Sequence, residues 1–196
     1  MAPARVPGPL LQALAAVTAW LRQADVPAAV IGGVAASLLG RPRVTKDVDL
    51  VALADDSDVP RLLSLGKQHG VTARAADAVE FAKVSRVLLL RHEPSGIEID
   101  VSLATLPFER EVIERAAERT VRGVTFRLAS AEDIVVMKAI ALRPRDVADI
   151  EALLETHPHL DVERIRSLLR SFTDALESDD FAGEFERLLA HQRRRK

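Results

Sequence analysis

Asp47 and Asp49 lie two residues apart in the stretch Asp47-Val-Asp-Leu-Val-Ala-Leu53. On an extended strand, residues so spaced project from the same face. Paired carboxylates are hard oxygen ligands of the kind that hold Mg²⁺ or Mn²⁺. A third carboxylate, Asp100, lies in Ile97-Glu-Ile-Asp-Val-Ser-Leu103. That stretch alternates in the same way, with Ile97, Ile99 and Val101 on the core side and Glu98 and Asp100 on the other. If the two strands are neighbours in one sheet, Asp100 joins the pair. Two ions in such a cage clamp both the attacking oxygen and the leaving phosphate of an in-line displacement. Upstream, Gly32-Gly33 precedes a short helix. Adjacent glycines let the backbone approach a ligand closely and present N–H groups to phosphates. Arg41, Arg43, Lys46 and Lys138 are available to balance the remaining negative charge. The chemistry implied is a divalent metal and a polyphosphate held side by side.

The elements that must position these groups follow from the surrounding pattern. A first helix runs to about Ala24 and is broken at Val26-Pro27. Ala28–Ile31 reads as a short buried strand ending in the glycine pair. Val34–Leu39 reads as a short helix closed by Gly40, followed by the basic loop 41–46 and then the Asp47–Leu53 strand. Asp58 is placed to cap a helix that begins at Val59-Pro60 and ends at Gly70. Val71–Arg74 reads as a short strand. Val84–Arg91 and Ile97–Leu103 form a hairpin about the turn Glu93-Pro-Ser-Gly96. Glu109–Arg119 reads as a charged helix and Val121–Leu128 as a strand or an extended connection around Gly123. Ser130-Ala-Glu-Asp133 has capping-box spacing and opens an apolar helix through Leu142. Beyond Pro144 the chain is helical, with Asp161 capping a further helix. The shift near Leu128 predicts a mixed α/β front half, residues 1–128, and an all-helical region, residues 129–196, packing on it.

Composition narrows the function classes. The 196 residues are 48% hydrophobic, which predicts a folded core. A formal net charge of -2 is no footprint of bulk electrostatic nucleic-acid binding, so any such contact needs a local patch. The sequence contains no cysteine, which excludes disulfides, thiolate metal sites and cysteine nucleophiles and is compatible with the cytoplasm. The apolar run Leu10–Leu21 is too short to span a bilayer and reads as an amphipathic helix, so no membrane association is expected.

Taken together, these residues resemble a known superfamily. Gly32-Gly33, then Asp47-Val-Asp49 after a helix and loop, then Asp100 on a later strand, resemble the nucleotidyltransferases related to DNA polymerase beta. The run Arg43-x-Thr45-x-Asp47-x-Asp49 is similar to minimal prokaryotic members. The Ser-x-Glu-Asp opening at Ser130, Lys138 on its helix, and Arg143-Pro-Arg-Asp146-x-x-Asp149 resemble the abortive-infection toxins of type IV-like toxin–antitoxin systems. The resemblance spans roughly Val30 to Leu154. It implies a small mixed-sheet nucleotidyltransferase core followed by helices. It also implies Asp47, Asp49 and Asp100 as metal ligands, with Asp100 accepting the proton of the attacking hydroxyl. Gly32 and Gly33 would hold the triphosphate, with Arg43 and Lys46 nearby in charge. Lys138 would reach a phosphate, and Asp146 would complete the site from the helical side. Many superfamily members carry Gly-Ser where this chain has Gly32-Gly33, so no serine hydroxyl stands at that position. The Gly-Gly form is common among the toxin-like members.

The implied reaction moves a nucleoside monophosphate from an NTP, ATP among them, to an acceptor hydroxyl and releases pyrophosphate, with Mg²⁺ or Mn²⁺ as cofactor. A toxin would act on an RNA end, such as a tRNA 3′ end, or on a protein hydroxyl, and would have an antitoxin partner. Two other readings stay open. One is an antibiotic-modifying transferase of the aminoglycoside or lincosamide type. The other is a nucleotide-binding module without catalysis. Several residues take ordinary roles. Asp55 and Asp56 form a solvated turn, and Asp149 is structural. Trp20 is core, His157-Pro-His159 is loop, and the Arg193–Lys196 run is a solvated end. A calcium loop starting at Asp47 is set aside, because Val51 occupies a ligand position.

Overall fold

The computed structural model describes residues 6–177 and 180–194, apart from the side chain of Arg193. Arg195 and Lys196, half of the predicted basic tail, lie outside the described residues. The chain divides into two compact units. The first holds the described residues up to Ala35 together with Val44–Ala129, and the second holds Ala36–Arg43 with the described residues from Ser130 onward.

The first unit is built on a seven-stranded mixed sheet. Its strands are β1 (Ala28–Val30), β2 (Asp47–Ala52), β3 (Val71–Ala73), β4 (Val87–His92), β5 (Ile97–Leu103), β6 (Ala117–Val121) and β7 (Val124–Leu128), in the spatial order β3-β4-β5-β2-β1-β7-β6. β2 and β5 pair in parallel, β4 and β5 form the antiparallel hairpin, and β1 lies antiparallel to β2 and parallel to β7. Alternation sets the two faces of the central strands. Val48, Leu50, Ile99, Val101, Leu88 and Leu90 are buried, while Asp47, Asp49, Glu98 and Asp100 project to the other side. Helix α1 (Gly8–Gln23) covers the apolar side with Leu10, Leu14, Val17, Trp20 and Leu21. Trp20 is fully buried, and its indole Nε1 donates to Leu62 O (2.9 Å) on α3 (Val59–Gly66). The mixed sheet with flanking helices is the α/β architecture expected from the sequence.

Three segments depart from the sequence reading, one of them Val121–Leu128, which a turn at Arg122 and Gly123 divides between the end of β6 and β7. The strand expected from Val84 starts later, because Val84 and Ser85 belong to helix α4 (Ala78–Ser85). Arg86 ends that helix in a left-handed conformation (φ 59°), its N–H donating to Ala82 O, and only then does β4 begin. The charged stretch expected as helix through Arg119 stops at Arg115, where α5 (Pro107–Arg115) ends. Ala117–Val121 instead pairs antiparallel with β7 as an exposed edge strand. Its charged residues tolerate either state locally, and pairing with β7 decides between them.

The second unit is helical. Ser130 caps α6 (Ala131–Ala141) by accepting from Asp133 N–H (3.1 Å), and Asp161 caps α8 (Val162–Leu176) by accepting from Arg164 N–H (2.9 Å). With α7 (Pro144–Thr156) and α9 (Phe181–Arg194) they enclose Ile150, Leu153, Ile165, Leu169 and Phe185. The end of α2 (Gly32–Leu39) is tied to this unit, since Leu39 O accepts from Thr156 Oγ1 (3.1 Å) and His157 Nε2 (2.8 Å). No helix among the described residues is long and apolar enough to cross a membrane.

Candidate active site

In the first unit, the in-register parallel pairing of β2 and β5 sets Asp49 opposite Asp100 and Asp47 opposite Glu98. Neighbouring strands lie about 4.8 Å apart, so these four carboxylates form one acidic patch on a single sheet face. Asp47 is exposed and accepts from Thr45 Oγ1 (2.9 Å). Asp49 is half-buried, and its Oδ2 accepts from the Gly33 N–H (3.2 Å). The glycine pair lies in the first turn of α2, not in a separate turn ahead of it. Gly32 adopts φ +62°, and a Cβ there would sit 1.9 Å from Asp49 Oδ2. A glycine is therefore required twice at this position, by its backbone conformation and by the carboxylate packed against it.

Asp100 has a partner that the sequence reading did not single out. Arg74, just past β3, donates from Nη2 to Asp100 Oδ1, from Nη1 to Glu98 Oε2 (3.2 Å) and from Nε to Leu90 O (3.0 Å). Arg91 lies 3.6 Å from the same Glu98 carboxylate. Burial pushes the Asp100 carboxyl above the ordinary carboxylate range. The Arg74 charge opposes this, and the neighbouring charges of Asp47 and Glu98 add to it. A carboxylate with raised basicity on this face is suited to accept a proton.

The donor set of Asp47, Asp49 and Asp100 fits a hard divalent cation, being all carboxylate oxygen on in-register strands. The three are not drawn into a closed cage. Among the described residues no three acidic or histidine side chains converge on one point, because Asp49 is turned to Gly33 and Asp100 to Arg74. At each of the two, one oxygen is engaged by a protein hydrogen bond, Oδ2 of Asp49 by the Gly33 N–H and Oδ1 of Asp100 by Arg74. A cavity of about 310 Å³ in the same unit is lined by Thr18, Leu21, Val30, Leu50 and Phe126 among others, and none of these carboxylates lines it.

The remaining predicted residues divide between the units. Lys46 is exposed in the first unit. Arg43, Lys138 and Asp146 belong to the second, and there they form a cluster around Asp149. Arg43 forks onto Asp149 through Nε–Oδ1 (2.8 Å) and Nη2–Oδ2 (2.9 Å). Lys138 Nζ lies 2.7 Å from Asp149 Oδ2 and 2.8 Å from Asp146 Oδ1. The Arg143 N–H donates to Asp146 Oδ2 (3.2 Å), closing the first turn of α7. Lys138 is buried, which rules out a surface lysine extending into solvent. Burial works against ionisation of Asp149, but its bonds to Arg43 and Lys138 outweigh that and hold its carboxyl below the usual range. Asp149 is thus the hub of the cluster, a role larger than helix charging. Two cations and two carboxylates leave it neutral.

Comparison with known proteins gives this geometry a class. Residues 10–180 match the family described as nucleotidyl transferase of unknown function (DUF2204). The chain belongs to that family and is a nucleotidyltransferase. Its fold is shared with solved structures at low identity. The solution structure of the antibiotic-resistance factor ANT(2'')-Ia matches with a TM-score of 0.57 at 19% identity, covering 85% of this chain and 94% of that one. The crystal structure of ANT(2'')-Ia with adenylyl-2''-tobramycin gives 0.56 at 18%, covering 85% and 98%. An antigenic nucleotidyltransferase-like protein from Paracoccidioides brasiliensis gives 0.53 at 20%, covering 84% and 88%. No curated protein matches the chain.

Proposed function

We propose that the protein transfers a nucleoside monophosphate from an NTP to an acceptor hydroxyl, with Asp47, Asp49 and Asp100 holding Mg²⁺ or Mn²⁺. The observation that carries this reading is the Asp49–Asp100 register pair beside the glycine-opened helix, with Asp49 bonded to the Gly33 N–H. The acceptor oxygen bonds to the α-phosphorus, the bond to the bridging oxygen of the β-phosphate breaks, and pyrophosphate leaves. Asp100 takes the hydroxyl proton. When bound, the metal supplies charge neutralisation for the phosphates. Gly32 and Gly33 let the triphosphate approach the backbone, and exposed Lys46 adds positive charge. Within the second unit Lys138 is held by two carboxylates, Asp146 and Asp149. Asp146 and Arg43 support it through the same cluster.

For the acceptor, the motif resemblance favours a toxin that modifies an RNA end, such as a tRNA 3′ end, or a protein hydroxyl, opposed by an antitoxin and working on cytoplasmic NTPs. A second reading, a small-molecule acceptor such as an aminoglycoside, is favoured by the fold likeness to ANT(2'')-Ia, whose structure holds adenylyl-2''-tobramycin. The test is incubation with each labelled NTP and Mg²⁺, offered total cell RNA, cell protein, or a panel of aminoglycosides and lincosamides. Label on RNA or protein, with growth arrest on expression, supports the toxin. Label on a drug, with resistance instead of arrest, supports the second reading. Asp47→Ala abolishes either. No label under any NTP while NTP still binds refutes transfer and leaves the silent binding module.

A further inference from the structure

We propose that Arg74 is a built-in counter-cation that occupies the charge position of Asp100 until a divalent cation displaces it, and so sets the affinity of the site for metal. The proposal rests on the reading of Asp47, Asp49 and Asp100 as metal ligands. Three features place Arg74 in this role. Its guanidinium is fixed from behind, since Nε donates to Leu90 O (3.0 Å) and its own backbone N–H donates to Leu89 O (2.9 Å). Both remaining nitrogens point at the acidic face, Nη1 to Glu98 and Nη2 to Asp100. The Arg74 and Asp100 side chains are 24% and 38% exposed, so water and ions reach the pair.

The competition follows from the oxygens involved. Asp100 Oδ1, an oxygen of the metal set, is bonded to the Arg74 guanidinium. A cation drawing Asp100 toward Asp49 has to compete with that charge-assisted bond. Glu98 makes the exchange workable, because it keeps Arg74 paired after Asp100 is released. Arg74 is therefore a positioning residue. It parks Asp100 away from Asp49 and yields it when metal loads.

The test measures metal binding directly, by titrating the full-length protein with Mn²⁺ and following free Mn²⁺ by electron paramagnetic resonance, without nucleotide. Arg74→Gln removes the competing charge but keeps a donor for Leu90 O. It is expected to tighten Mn²⁺ binding about tenfold, and Asp100→Asn in the same background is expected to cancel the gain. Arg74→Lys keeps the charge but cannot fork onto both carboxylates. It is expected to tighten binding by a smaller factor and provides the measurement should Arg74→Gln not fold. If Mn²⁺ binds the wild type in an Asp49-dependent manner and neither Arg74 variant shifts the midpoint, the counter-cation proposal is overturned while the metal reading stands. If neither wild type nor variants bind Mn²⁺, both fall.

Discussion

Gly32→Ala is the substitution in which backbone and chemistry are most tightly linked. An alanine at φ +62° costs about 1–2 kcal/mol for the left-handed conformation alone. Its Cβ would also lie 1.9 Å from Asp49 Oδ2, 2.5 Å from Cγ and 2.6 Å from Cβ, so the whole carboxylate has to move. Moving it breaks the charge-assisted bond from Gly33 N–H, worth about 1.5–3 kcal/mol. It also forces an off-rotamer side chain, at about 1 kcal/mol. The expected loss is about 3.5–6 kcal/mol. Gly123→Ala is the matched control. Gly123 has φ +85°, and a Cβ there would meet nothing within 4 Å, so only the backbone cost of about 1–2 kcal/mol applies. Urea unfolding of both variants measures the difference, expected to be about 2.5–4 kcal/mol, and labelled-NTP transfer measures the consequence at the site. Gly32→Ala is expected to lose transfer by more than about a hundredfold, as removal of a stabilising group in an active site does, while Gly123→Ala retains it. Equal unfolding midpoints for the two variants, or full transfer by Gly32→Ala, would refute the coupling of this glycine to Asp49.

Two further outcomes follow from the helical unit and the core. Asp149→Asn strips a buried carboxylate from Arg43 and Lys138 and is expected to cost about 3 kcal/mol by chemical denaturation. Because the folded-state carboxyl of Asp149 titrates below its unfolded value, its contribution is full above about pH 4 and lost as pH falls through the lowered value. The acid limb of the stability profile should accordingly flatten in the variant, and an unchanged limb would count against the hub role. Trp20→Phe removes the bond to Leu62 O and should cost about 1–2 kcal/mol, read from the thermal or urea midpoint, with transfer unchanged.

Alternation was enough to put Asp47, Asp49, Glu98 and Asp100 on the polar side of their strands, because a period of two is a local property of an extended backbone. Ser130 and Asp161 were legible as helix caps for the same reason, since a cap bonds within three residues of itself. The edge strand Ala117–Val121 and helix α4 were not legible, because each depends on pairing or packing that local propensity does not record. The inventory is local and could be read from residue order: three carboxylates, a glycine pair, a helical second half and the family resemblance they carry. The pairing of these groups depends on folding in three dimensions. Arg74 meets Asp100 across 26 residues of chain, and Arg43 meets Asp149 across 106. No spacing rule links residues so far apart. Antiparallel pairing of β3 with β4 and of β4 with β5 carries Arg74 to Asp100, and the packing of α7 against α6 brings Asp146 and Asp149 to Lys138.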